Sequence, residues 1–287
     1  MAFEKIIALL DAATEYQYQG IELLAGLNDP EMTAQIRTHY GWTGVFTYHR
    51  NLRRWRGYFN GYTLKGPQGE WKIDEAMMTA LIDVGLLQNA DIKHFYFVDA
   101  DPSDLEMYLQ RYPDIEVLQI KSSKNYFSSW GSTTLPLDEL PEEIGTLKNL
   151  KRLYIENHYD LQTLPESMAN LTQLEKVSFA RTGLGVLPSW LMNCPNLTAL
   201  NVNGMHNLKA IHPALLQKPS LQIIHSAQNA ARGSLRPALP NHPVTIEKYT
   251  RMQSSQLPRI GSHEMRWRQE GYLAKQHGEF HNYPRNW

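Results

Sequence analysis

The strongest constraint on this chain is a spacing of apolar residues that recurs along its middle. The pattern Leu-x-x-Leu-x-Leu, with other apolar residues allowed, occurs at Ile92/Phe95/Phe97, Ile115/Leu118/Ile120, Leu150/Leu153/Ile155, Leu174/Val177/Phe179 and Leu197/Leu200/Val202. A degraded copy follows at Leu221/Ile224/Ser226. The steps between first positions are 23, 35, 24, 23 and 24 residues. In an extended segment, side chains two apart share a face, so the fourth and sixth positions point to one side and their neighbours to the other. A segment this short cannot bury its apolar side alone, whereas copies stacked at a fixed step share one continuous core. The spacing therefore predicts a parallel sheet with one strand per unit, each followed by a turn and a helical or irregular return. The 35-residue step holds an insertion near 122–136, centred on the aromatic run Lys124–Thr134. Loops of that length are uncommon unless they do something, so this one either meets a partner or covers a cap.

A second register runs alongside the first. Leu140-Pro141, Leu164-Pro165 and Leu187-Pro188 open successive units, Ile211-His212-Pro213 opens a fourth, and Leu161, Leu184 and Leu208 mark the turn after each strand. The runs at 140–153 (LPEEIGTLKNLKRL) and 197–210 (LTALNVNGMHNLKA) resemble the leucine-rich-repeat family. The likeness covers about half the chain and is nearest to the 23–24-residue repeats of plant immune receptors and of bacterial intracellular and effector proteins. It implies an α/β solenoid with a parallel sheet on its concave face, and binding of another protein as an adaptor or recognition module. It also leaves two narrower readings: a bacterial effector of the ubiquitin-ligase kind, or an immunity protein that binds a toxin. The position that usually carries the family's turn asparagine holds His158, Thr182, Met205 and Asn229, so no continuous asparagine ladder is expected.

The same register assigns the outward positions of the strands. They are His94, Tyr96, Gln119, Lys121, Arg152, Tyr154 and Glu156, then Lys176, Ser178, Arg181, Asn201, Asn203, Ile223 and His225. Tyrosine, arginine and asparagine together suit a protein surface better than a small-molecule pocket. The occupant of such a face is either a partner or the chain's own tail.

The ends depart from the repeat. Residues 1–66 read as a helical N-terminal cap. Phe3, Ile6, Ile7 and Leu10 recur at helical period, and Asp29-Pro30 reads as an N-cap followed by proline at the first helical position. Asp74–Leu87 predicts a further helix at the start of the repeat region, 67–229. Residues 230–287 form an irregular extension in which Pro237, Pro240, Pro243 and Pro258 impose extended backbone; Ser262–His277 reads as a helix ended by Gly278. Residues 67–139 hold 5 Lys/Arg against 13 Asp/Glu, and residues 230–287 hold 9 against 4. That asymmetry, with Trp267, Tyr272, Phe280, Tyr283 and Trp287 in the extension, suggests head-to-tail self-association.

Patterns of chemistry are sparse. Cys194 is the single cysteine, which excludes an intramolecular disulfide and leaves one thiol, in a position where the repeat wants a small buried residue. His277 and His281 stand four apart, but Gly278 breaks the helix a metal-binding pair needs. Gly66-Pro67-Gln68-Gly69 is a turn without the Lys-Ser/Thr of a phosphate loop. No cofactor, metal or catalytic residue is expected. His49–Arg56 packs four arginines beside Trp55, which fits a solvated cap or a protein contact better than nucleic acid. The first residues lack the pattern of a secretory signal, and no apolar run approaches a membrane span, so a cytoplasmic location is expected, with export as an effector left open.

Overall fold

A computed structural model describes residues 2–49, 61–122, 137–225 and 245–247. The insertion beyond Ser122, the arginine-rich run at 50–56 and the C-terminal extension apart from 245–247 lie outside the described residues. So do the self-association reading and the helix expected at 262–277.

Three helices come first: α1 (Ala2–Leu10), α2 (Thr14–Leu27) and α3 (Pro30–Tyr40). The Asp29 carboxylate accepts the backbone N–H groups of Glu31 and Met32 at 3.0 Å each, the cap that the Asp-Pro pair predicts. The expectation of helix throughout residues 1–66 fails beyond Tyr40. Strands β1 (Thr43–His49), β2 (Gly61–Gly66) and β3 (Gly69–Ile73) follow instead. The physical reason is visible in Val45, Phe46, Tyr62 and Thr63, β-branched and aromatic residues that fit a pleated, half-buried surface. β2 and β3 are joined through Pro67-Gln68, with Gly66 opposite Gly69. Gly66 is required there, because a Cβ would lie 1.9 Å from the Tyr40 carbonyl oxygen.

The chain then alternates between strand and return. The remaining elements are α4 (Glu75–Asp83), β4 (Ile92–Val98), α5 (Pro102–Arg111), β5 (Val117–Lys121), β6 (Arg152–Glu156), β7 (Lys176–Ser178), β8 (Ala199–Asn201), α6 (Pro213–Leu216), β9 (Ile223–His225) and β10 (Thr245–Glu247). All ten strands form one sheet in the order β10-β9-β8-β7-β6-β5-β4-β1-β2-β3, which does not close into a barrel. From β1 and β4 through to β10 every pairing is parallel, and only the β1-β2-β3 end is antiparallel. Phe95, Leu118, Leu153, Val177, Leu200 and Ile224 stand opposite one another in succession. That register is the one the residue steps predict, and all six are buried. The sheet also continues one strand past the point where the repeat reading ends, since Ile224 pairs with Ile246.

The returns shorten along the chain. α4 and α5 give way to single 3-10 turns at Glu142–Thr146, Glu166–Asn170 and Ser189–Asn193, preceded by Pro141, Pro165 and Pro188. Proline fixes φ at the entry to each turn. Ile144, Met168 and Leu191 then drop into the core beneath the strands. Each strand leaves through the same device. The N–H groups of Asp99, Ser122, Asn157 and Arg181 donate to the carbonyls of Lys121, Glu156, Ala180 and Asn203 on the following unit. Asp99, Asn157, Arg181 and Gly204 all take positive φ, between 56° and 68°. The corner is thus repeated in backbone geometry where the residue type is not.

One contiguous core runs from Ile6 to Ile224. Its N-terminal part is aromatic and includes polar bonds. Tyr40 stacks on Trp42 at 4.3 Å between ring centroids and donates its hydroxyl to Asp11 at 2.8 Å. The Tyr62 hydroxyl donates to Glu75 Oε2 at 2.6 Å and lies 2.8 Å from the Tyr112 hydroxyl, while Arg111 pairs with Glu75. Among the described residues no helix is long and apolar enough to cross a membrane.

Candidate functional site

Turning the repeating apolar residues inward leaves the alternate residues of β4–β9 on the opposite face of the sheet. They fall into rows that cross the strands. The first runs His94, Val117, Arg152, Lys176, Ala199 and Ile223; the second runs Tyr96, Gln119, Tyr154, Ser178, Asn201 and His225; the third holds Val98, Lys121 and Glu156. Ile223 and His225 are placed here by their backbone alone. Arg181 and Asn203 stand beyond the strand ends, in the exit turns.

These residues are not equally accessible. His94, Tyr96, Gln119, Arg152, Tyr154, Lys176 and Asn203 are half-buried, and Arg181 is exposed. Lys121, Glu156, Ser178 and Asn201 share the face yet are buried, at 6%, 6%, 0% and 1% exposure. The alternation rule fixes the face a side chain points to, not the solvent it meets there. The buried members therefore form a floor. Ser178 Oγ donates to Glu156 Oε1 at 2.9 Å, and the Asn203 N–H donates to Asn201 Oδ1 at 3.0 Å. Burial pushes the Tyr154 phenol up to about 12, a rise that Arg152 opposes and Glu156 assists. His94 is held below its ordinary range by burial first and then by the Arg152 charge, with Glu116 pulling the other way.

Two features at the edge of this face escaped the pattern analysis. The first is a column one residue before the first row. Its charges alternate from strand to strand as Lys93, Glu116, Lys151 and Glu175, with Lys151 Nζ 2.8 Å and Lys93 Nζ 3.7 Å from Glu116. Lys151 bonding holds the Glu116 carboxyl below its usual range despite partial burial. This sign alternation was readable in the sequence once the register was known. The second is Asn157, whose Nδ2 donates to the Ser122 carbonyl at 3.1 Å and whose Oδ1 accepts from Arg181 Nη1 at 3.3 Å. It ties three exit turns together, and a lone asparagine gives no sign of that.

Potential chemistry elsewhere is structural in character. Cys194 is buried, its thiol is pushed up to about 11 by desolvation, and its Sγ faces the carbonyls of Leu171 and Trp190 at 3.5 and 3.6 Å. His158, in the turn position, is buried, and its Nδ1 accepts the Leu137 N–H at 3.0 Å. Burial lowers its pKa to about 4, against a smaller upward pull from the Ile120 backbone. Among the described residues no three metal-binding side chains cluster.

No family model matches the chain. A protein of Arabidopsis thaliana named for a proposed role in disease resistance is 33% identical over 98 aligned positions, which cover 26% of this chain. The chain spans 8% of that relative's length, so the likeness is to a short stretch of a much larger protein.

Proposed function

We propose that this chain is a leucine-rich-repeat solenoid that binds another protein through the polar face of its parallel sheet, and that it works without catalysis. The observation that carries this reading is the strand register. Unbroken pairing of Phe95, Leu118, Leu153, Val177, Leu200 and Ile224 lines the opposite side chains into rows of tyrosine, arginine, lysine and asparagine several strands wide. Such rows supply rigid amphipathic area and charge-assisted hydrogen bonds, the ingredients of protein recognition. Similarity to part of a plant protein named for disease resistance supports an interaction role of the same general kind. The buried Cys194 thiol, raised to about 11, gives no support to thiol-based ubiquitin transfer.

The test is affinity capture with cross-linking, comparing the full chain with a Tyr154→Ala/Arg152→Ala variant whose circular dichroism is unchanged. The expected result is a captured protein that cross-links to the sheet face and is lost from the variant. Captured proteins that cross-link elsewhere, and that the variant retains equally, would overturn the reading.

A further inference from the structure

We infer that the sheet face selects an acidic, extended segment of its partner, one that carries carboxylates on either side of neutral or aromatic residues. The inference rests on the reading of this face as the binding surface and specifies the ligand. Its basis is the sign of the face within an otherwise acidic body. The described residues carry nearly twice as many carboxylates as lysines and arginines. The accessible charges of the rows that cross the sheet reverse that balance: Arg152, Lys176 and the adjoining Arg181 meet solvent, whereas Lys121 and the single carboxylate Glu156 are buried opposite each other. The neighbouring column, Lys93-Glu116-Lys151-Glu175, balances its signs strand by strand, so the positive rows are a local departure and not a property of every column.

The geometry suits carboxylates. Arg152 and Lys176 stand opposite each other on adjacent parallel strands, about 4.8 Å apart along the sheet, so a carboxylate above that step meets both. A second cationic point lies beyond the far ends of the strands, at the exposed Arg181, about five residues along the chain from Lys176. Tyr154, Gln119 and Ser178 occupy the row between the two. A segment bound there has acidic residues at its two contact points and can lay an apolar or aromatic side chain against Tyr154. The chain's own undescribed segments fit poorly as occupants, because they hold an excess of lysine and arginine and thus the same sign as the face.

The test is fluorescence anisotropy with three labelled peptides of about twelve residues, alternating Glu-Tyr, Ser-Tyr and Lys-Tyr, titrated with the full chain to about 1 mM, the weak limit of specific binding. The Glu-Tyr peptide is expected to bind at least about ten-fold tighter than the other two. Arg152→Glu/Lys176→Glu should abolish that preference, the milder Arg152→Gln/Lys176→Gln should weaken it, and binding should fall several-fold as salt rises from about 0.05 to about 0.3 M. Equal binding of all three peptides, lost together in Tyr154→Ala, would overturn acidic selection while leaving the face as the binding surface. Peptide binding indifferent to every one of these substitutions would overturn both readings. No binding of the Glu-Tyr peptide at the highest concentration would overturn acidic selection alone.

Discussion

The two halves of the described molecule bury their cores by different means. In residues 137–225 each unit contributes aliphatic side chains at fixed offsets, and the strands run three to five residues between short proline-opened turns. In residues 2–122 the same sheet continues, but its returns are helices, an antiparallel hairpin closes its end, and the core is a network of Tyr40, Trp42, Phe46, Tyr62, Tyr108 and Tyr112. The difference is one of specification. A repeating aliphatic unit is fixed by spacing, because any residue of the right size at the right offset will serve. An aromatic core with hydroxyls inside it is fixed by particular partners, since each buried hydroxyl must find an acceptor.

Removing a side chain from the regular half tests this comparison most strongly. Leu153 is fully buried in the centre of the inward row, and Leu153→Ala is expected to cost about 2–5 kcal/mol in a urea melt. A loss below about 1 kcal/mol would mean that the row is not packed as described.

The regular half also contains one expensive substitution of its own, His158. Its folded pKa of about 4 lies below the ordinary value of 6.5, so between those values the folded state binds fewer protons than the unfolded chain. Stability then rises with pH across that window and is lost as pH falls from 6.5 towards 4, by about 3 kcal/mol in all. Melts at stepped pH should show this slope, and His158→Asn should flatten it whatever the variant does to stability at neutral pH. A slope unchanged by the substitution would assign the acid sensitivity elsewhere.

In the aromatic half the matching experiment removes an atom. Tyr62→Phe deletes the hydroxyl that donates to Glu75 and faces Tyr112, leaving the buried Tyr112 hydroxyl without that neighbour. The expected loss is about 1.5–3 kcal/mol, from a single oxygen. If the same change costs nothing measurable, the two halves are specified alike and the contrast fails.

How much of this was legible follows from the same distinction. The six-strand inward row was readable to the residue because period two and a fixed step leave one register, and slipping by one would expose every leucine. Strands β1 and β2 were misread as helix because they carry no repeat and lie beside true helices. What identifies them is the pairing of β1 with β4, which sets Tyr48 opposite Phe97, and of β2 with β1, contacts that no local pattern encodes. The polar face was half legible. The outward assignment of Tyr154 or Lys176 followed from alternation, but the burial of Lys121, Glu156, Ser178 and Asn201 depends on what lies above a residue, which spacing does not report.

The smallest effect lies at the corner between strand and return. Arg181 takes φ of 57°, where asparagine and glycine serve in the equivalent turns at Asn157 and Gly204. Arg181→Gly is expected to change stability by less than about 1 kcal/mol, with relief of the left-handed strain offset by glycine's added freedom when unfolded and by loss of the bond to Asn157 Oδ1. Gly204 has no such latitude, since a Cβ there would come within 2.8 Å of the Arg181 side chain.

Cross-strand disulfide trapping tests the central claim, the parallel register that creates the polar face, most directly. Cys194 is the single native cysteine and is buried, so two introduced thiols report on each other with little background. Gln119 and Tyr154 stand opposite each other on adjacent strands, about 4.8 Å apart, inside the range a disulfide spans; Gln119 and Ser178 are two strands apart, about 10 Å, and outside it. Mild oxidation is predicted to close Gln119→Cys/Tyr154→Cys within one chain while the fold persists, and to leave Gln119→Cys/Ser178→Cys open. Closure of the second pair without the first would contradict the register, and with it the face.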